Sequence, residues 1–281
     1  MDHFSFSWVQ RYVLILNWQN ILSFFFVVLP NKCDFNPEKM HQTTRGVVLR
    51  IIRHKDSSFI ADVYTDAFGR SSFILRNART PRSKVPPLLF QPLSLIEIEA
   101  DVRPTSTLHR ITEAKRLYAF STIPFHPAKQ AIVLFLSEFL SHTLREEEQN
   151  LPLFEFLLHS IVFLDEAEQE FSNFHLVFML NLSHFLGIYP NLSGYTAGDY
   201  FDLSDACFTP SRPLTHPFYA SPDESVRIHA LSRCDFQTMH QLLLGRMERN
   251  RLLSLLNEYY RLHFPNYPEL KSLPVLHELF S

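Results

Sequence analysis

The spacing of apolar residues changes once along this chain, and that change limits the fold more than any single motif. Between residues 40 and 120 apolar side chains fall in short runs rich in β-branched and aromatic residues, alternating strictly at 95–99; beyond Phe120 they recur every third or fourth. The first spacing is that of half-buried strands and the second that of helices. Residues 46–53 (GVVLRIIR), 59–64 (FIADVY), 71–76, 93–101 (LSLIEIEAD) and 108–114 read as five strands, bounded by polar turn material such as HKDSS and TDAFG. Within the fourth, Leu95, Glu97 and Glu99 alternate with Ile96 and Ile98.

Five short strands in so short a span suggest a small closed barrel. Closure removes exposed edges, and the five-stranded OB-fold barrel is an architecture of this size that also binds single strands. The helical part opens at Pro127, with Ile132, Phe135 and Phe139 on one face of a helix over 127–145 that stops at REEEQN. A second helix is expected over 151–170. Phe171, Phe174, Phe178, Leu182 and Phe185 make a third stripe ending at Gly187. Residues 188–222, with Gly194, Gly198, Pro210, Pro213, Pro217 and Pro222, read as loop; helices follow over 235–245 and 249–263, and the apolar tail LPVLHELF docks on the bundle. The expected class is α+β, an N-terminal OB-fold barrel over 40–120 followed by an all-α helical domain over 121–281.

Residues 1–39 do not match this pattern. The apolar run 13–29 is broken by Asn17, Gln19 and Asn20 and is shorter than the roughly 20 residues that cross a bilayer. No small-residue cleavage site follows it. We expect an upstream extension with little ordered role, a functional start at Met40, and no membrane association.

Charge divides the chain at the same place. Residues 40–120 hold 13 Lys and Arg against 7 Asp and Glu, whereas residues 121–281 hold 10 against 19. A basic module joined to an acidic one is the arrangement in which one half meets a polyanion. The densest basic stretch, 69–84 (GRSSFILRNARTPRSK), carries Arg70, Arg76, Arg79, Arg82 and Lys84 with no carboxylate among them. Arg45, Arg50, Arg53, Lys55, Arg103, Arg110, Lys115 and Arg116 extend that surface. Any one of these residues alone reads equally as a solvated loop cation; the excess over the whole module favours phosphates, whose neutralisation releases counterions and makes affinity fall with salt. Phe68, Phe73 and Phe90 are the aromatics available for base stacking, although core positions suit them better.

Catalytic patterns are missing. There is no GxxxxGK phosphate loop, none of the six glycines stands as GxG, and neither GxSxG nor HExxH occurs. We therefore expect no catalytic residues and no nucleotide cofactor. Cys33, Cys207 and Cys234 form neither a CxxC pair nor an even disulfide framework, which fits a reducing cytoplasm. His175 and His184 on the third helix read as partly buried, hydrogen-bonded side chains rather than metal ligands.

TRGVVLR at residues 44–50, DAFGR at 66–70, NART at 77–80 followed by RSK, and LGIYPNL at 186–192 together resemble the recombination mediator family RecO, in that family's order. The resemblance implies a bacterial, cytoplasmic, nucleoid-associated DNA repair protein. Such a protein would bind single- and double-stranded DNA, anneal complementary strands, and work with RecR and single-strand binding protein to load RecA. Many relatives carry a four-cysteine zinc knuckle after the segment matching GIYPNL. Here that region reads SGYTAGDYFDL with only Cys207 downstream, too few thiolates for the site, so we expect no structural zinc and packing by Tyr195, Tyr200 and Phe201 instead. The family's docking of the acidic tail of single-strand binding protein on the helical domain makes Arg246, Arg249, Arg251 and Arg261 candidate receivers, on charge and position alone. Two other readings stay open: a non-catalytic OB-fold scaffold that docks a protein or an anionic surface, and an enzyme with an unrecognised pocket.

Overall fold

Five strands close into a barrel in the order β1–β2–β3–β5–β4: β1 (Met40–Lys55), β2 (Ser58–Thr65), β3 (Gly69–Leu75), β4 (Leu95–Val102) and β5 (Leu108–Arg116). This is a computed structural model, and it describes residues 40–55, 58–76, 78, 83–102, 106–145 and 148–279. The N-terminal extension 1–39, Arg79, Arg82, Arg103 and the side chain of Lys55 lie outside the described residues.

The long β1 pairs with β4 through its first half and with β2 through its second, so one strand serves both sides of the barrel. A short parallel pairing of Ser72–Ile74 with Leu108–Arg110 closes the ring. Val48, Val63, Phe73, Leu75, Ile96 and Ile98 fill the interior, each fully buried. Gly46 sits where β1 passes between its two partners, and a side chain there would point at Val63. The β2–β3 hairpin turns over Asp66–Phe68 into Gly69 at φ +60°, a conformation that favours glycine, and the Thr65 hydroxyl donates to the Gly69 carbonyl at 3.0 Å.

A bulge at Leu49 shifts the β1–β2 register between Val48↔Val63 and Arg50↔Asp62. Two successive residues thereby serve the outer face. Leu49 joins Val47, Tyr64 and Leu95 in packing against Ile132, Phe135, Leu136 and Phe139 of α1 (Pro127–Thr143), while Arg50 turns to Asp62. The Ser137 hydroxyl of α1 donates to the Leu49 carbonyl. Barrel and helices therefore share one apolar cluster, and Leu95, outside the barrel, is as buried as its inward neighbours.

The helical half continues with α2 (Leu151–Glu166) and α3 (Phe174–Phe185). Asn150 caps α2 by accepting the Leu153 N–H at 3.1 Å. α3 carries the expected Phe174, Phe178 and Leu182, all fully buried, and ends in Gly187 at φ +69°. Residues 188–222 differ from the loop expected: they contain a three-stranded antiparallel sheet, β7–β6–β8, from β6 (Tyr200–Asp202), β7 (Cys207–Thr209) and β8 (Tyr219–Ala220). Phe201 is buried in the core, Tyr195 stacks on His229 at 4.5 Å, and Tyr200 meets Tyr219 edge-on at 5.7 Å. α4 (Pro222–Leu231) follows, opened by a capping box between Ser221 and Glu224.

The helix expected over 235–245 does not form; only a single 3-10 turn, Met239–Gln241, lies there. The Asp235 carboxylate accepts the Gln237 and Thr238 N–H groups at 2.9 and 2.7 Å, a local turn that competes with helix. α5 (Arg246–His263) and α6 (Ser272–Leu279) complete the fold, and the apolar tail docks as expected, with α6 against α1.

Candidate nucleic-acid interface

Alternation along β2 and β3 turns Asp62, Arg70 and Ser72 outward, and the Leu49 bulge adds Arg50 to that face. Asp62, only 3% exposed, gathers them: Arg50 Nε lies 2.6 Å and Arg70 Nη2 3.2 Å from Oδ2, and the Ser72 hydroxyl donates to Oδ1 at 2.6 Å. Burial pushes the Asp62 carboxyl up, but Ser72 and the two guanidiniums outweigh it and hold it below its usual range.

Arg70 also reaches the helical half, donating from Nη1 to the carbonyls of Ser141 and Leu144, both at 2.8 Å. These are unpaired carbonyls at the C-terminal end of α1, where the helix dipole is negative and a cation is favoured. Arg145 covers a third, that of His142, from Nε at 3.2 Å, and reaches the Pro265 carbonyl from Nη2 at 2.7 Å.

Between this barrel face and the end of α1 lies a groove of about 640 Å³. Arg50, Asp62, Phe68, Arg70, Ser71 and Ser72 line one side; Val102, Ser106, Thr107 and His109 line the β4–β5 end; Ser141, His142 and Arg145 form the helical wall. Among the described lining residues three guanidiniums face one carboxylate, so that lining is cationic. In OB-folds the face of strands 2 and 3 and the loop between strands 4 and 5 form the oligonucleotide site.

Of the cations picked from sequence, Arg50 and Arg70 line this groove. Arg45 faces α2, bonding Asp66 at 2.8 Å and Glu155 at 2.8 Å with its guanidinium 5.0 Å from the Phe154 ring centroid, so it braces barrel to helices. Lys84 and Lys115 stand beside Glu113, at 2.8 and 3.7 Å. Arg53, Arg76, Arg110 and Arg116 are exposed on the barrel. Phe73 and Phe90 are fully buried core residues, whereas Phe68 is partly exposed in the groove.

Among the arginines of the helical half, Arg249 donates to Asn173 Oδ1 and the Leu244 carbonyl, at 3.0 and 2.9 Å. Arg251 pairs with Glu224, Arg261 with Glu258, and Arg246 reaches the His277 carbonyl at 3.5 Å. Sequence reasoning missed the titratable groove residues Asp62, His109, His142 and Arg145, together with Ser71, Ser72, Val102, Ser106, Thr107 and Ser141. Strand alternation points Asp62 outward, but nothing local in the sequence brings the end of α1 to it.

Among the described residues no group of three or more His, Cys, Asp and Glu is placed to hold a metal ion, and the residues after Gly187, with Cys207 and Cys234 alone, do not supply the four thiolates of a closed cysteine site. Instead Asp202 accepts the Ser204 and Asp205 N–H groups at 2.8 and 3.0 Å and lies 3.4 Å from His216. No described helix is long and apolar enough to cross a membrane.

A family model described as Recombination protein O N terminal matches residues 40–120, and one described as Recombination protein O C terminal matches residues 125–274. The DNA repair protein RecO of Bacteroides fragilis is 52% identical over 242 residues, which cover 86% of this chain and 100% of that protein. That of Phocaeicola vulgatus has the same identity and coverage. The DNA repair protein RecO of Porphyromonas gingivalis is 35% identical over 242 residues, covering 85% of this chain and 98% of its own.

Proposed function

The chain belongs to the RecO family of DNA repair proteins, and from that premise we propose that it binds the phosphate backbone of single- and double-stranded DNA in the groove between the barrel and α1. There it holds two complementary strands close enough to anneal. The observation that carries this reading is the convergence of Arg50, Arg70 and Arg145 on the OB-fold's ligand face, with Asp62 the one carboxylate among the described lining residues.

The mechanism is electrostatic. A cationic groove screens the repulsion between two backbones and raises their local concentration, while bases remain free to pair. Phosphate contacts carry no sequence information, so binding is largely independent of sequence. Exposed cations of the barrel, Arg53, Arg76, Arg110 and Arg116, extend the path of the strand, and Lys55, Arg79, Arg82, Lys84 and Lys115 add to it. The reading requires no nucleotide hydrolysis. Family membership supports extending the proposal to action with RecR on strands coated by single-strand binding protein, leading to RecA loading, with Arg246, Arg249, Arg251 and Arg261 the proposed contacts on the helical half.

The test is a salt titration of DNA binding with Arg50→Ala and Arg145→Ala combined, leaving Arg70 to cap α1. Affinity should fall roughly tenfold or more, and on a single strand the log–log salt slope should drop by roughly 0.7 for each phosphate that the variant no longer neutralises. An unchanged slope would move the site off the groove. Complementary oligonucleotides should anneal faster with the protein than alone, without ATP; equal rates would refute the annealing role.

A further inference from the structure

The helical wall of the groove holds a titratable side chain that the arginines do not account for. His142, on the last turn of α1, lines the groove beside Arg145 and shares it with Arg50, Arg70, His109 and Asp62. A helix C-terminus ordinarily repels anions through its bare carbonyls. Here Arg70 covers those of Ser141 and Leu144, and Arg145 covers that of His142. Among the described residues, the helix end offers a strand cations and an imidazole. The carboxylate one turn earlier, Glu138, is committed to α6, where it accepts the N–H groups of Lys271 and Ser272 at 3.0 and 2.8 Å.

In the protein alone, burial is the main influence disfavouring the His142 imidazolium. Arg50, Arg70 and Arg145 add to it, and Glu138 opposes them without prevailing. A phosphate group entering among the same cations brings the negative charge that the imidazolium lacks.

Resting on the DNA-binding reading above, we propose that the helical half binds DNA directly through the end of α1, and that His142 takes up one proton from solvent as a phosphate enters the groove. No bond of the strand is made or broken. A group that is protonated more readily in the complex than in the free protein makes affinity rise as pH falls. The rise belongs to the interval around the ordinary histidine range, near about pH 6 to 7.

The experiment uses the full chain and an oligothymidine strand, whose bases do not titrate in that interval. Affinity at fixed salt should rise roughly threefold to tenfold between about pH 7.5 and about pH 6. Calorimetry in two buffers of different ionisation heat should report the same proton uptake. His142→Gln, or His142→Asn as a second amide, should still bind at the upper pH but lose the pH slope, whereas His109→Gln should keep it. A flat wild-type profile overturns this proposal alone. So does a slope that survives both His142 variants or vanishes with His109→Gln. A wild-type chain that does not bind the strand overturns the DNA-binding reading as well.

Discussion

At the level of single residues, the barrel is held to its shape by positions whose role appears only once partners are known. Gly46 looks in the sequence like the ordinary start of a strand. In the structure an added Cβ would lie 2.4 Å from Val63 Cγ1, inside a filled barrel. Val63 is β-branched and fully buried, so a change of rotamer there is costly. Gly46→Ala should therefore destabilise the protein by about 1–3 kcal/mol, as overpacked cores do. Urea unfolding monitored by intrinsic fluorescence measures it, and Val63→Ala in the same chain should recover part of the loss. A wild-type midpoint for Gly46→Ala would mean that β1 bends more freely at this point than its two pairings suggest. Arg45 teaches the same lesson from the opposite side: counted by charge it belongs with the DNA cations, yet its partners Asp66 and Glu155 make it a brace between barrel and helices.

At the level of elements, what was legible depended on whether the signal was local. Short runs rich in β-branched and aromatic residues, with strict alternation in β4, located all five strands, and helical spacing of apolar residues located α1, α2 and α3, because burial of one face dictates spacing. The capping box at Ser221 and Glu224 was equally local, but the prolines around it led to a loop reading. β6, β7 and β8, of two or three residues each, are too short to show a period at all. The groove was half legible: alternation turns Arg70 and Ser72 outward, while the α1 wall is a tertiary fact. α6 is likewise fixed from afar, since its first turn is capped by Glu138 of α1, which accepts the Lys271 and Ser272 N–H groups and the Ser272 hydroxyl. Burial raises the Glu138 carboxyl, but these donors lower it more, so the ionised form is the one that caps. Glu138→Ala should cost about 1–2 kcal/mol and speed amide hydrogen exchange over 272–279 selectively. Exchange that rises equally in the barrel would show that the cap stabilises the whole molecule rather than the α6 docking.

Across the whole molecule, the segment that leads from the basic barrel into the acidic helices is pinned by a buried knot, which adds to the contacts that join the two halves directly. The fully buried Asp165 of α2 accepts the N–H groups of Ser121, Thr122 and Ile123 at 2.8, 2.9 and 2.9 Å, in the segment that leads from β5 to α1. The Lys129 ammonium, 1% exposed, donates to the Asp165 and Ala167 carbonyls at 2.9 and 2.6 Å and to the Thr122 hydroxyl at 2.6 Å. This knot fixes the start of α1 and hence the direction in which its other end meets the barrel face, so the groove's geometry depends on a site remote from it in sequence. Burial pushes the Asp165 carboxyl up, but the N–H groups of Ile123, Ser121 and Thr122 and the Ser121 hydroxyl hold it below its ordinary value. A carboxylate so depressed contributes stability above its unfolded-state pKa, near about 4, and loses that contribution as pH falls through its lower folded-state value. Asp165→Asn keeps the shape but removes the charge, leaving three buried N–H donors to one amide oxygen and Lys129 without a nearby countercharge. It should lower stability at neutral pH by about 3–5 kcal/mol. The gap between wild type and variant should narrow as pH drops below about 4, where the carboxyl of the unfolded chain is protonated first, and close as pH falls through the lower folded-state value. Urea midpoints for both proteins across that range decide it: a gap that stays constant with pH would mean that shape at Asp165, rather than its charge, ties the two halves together.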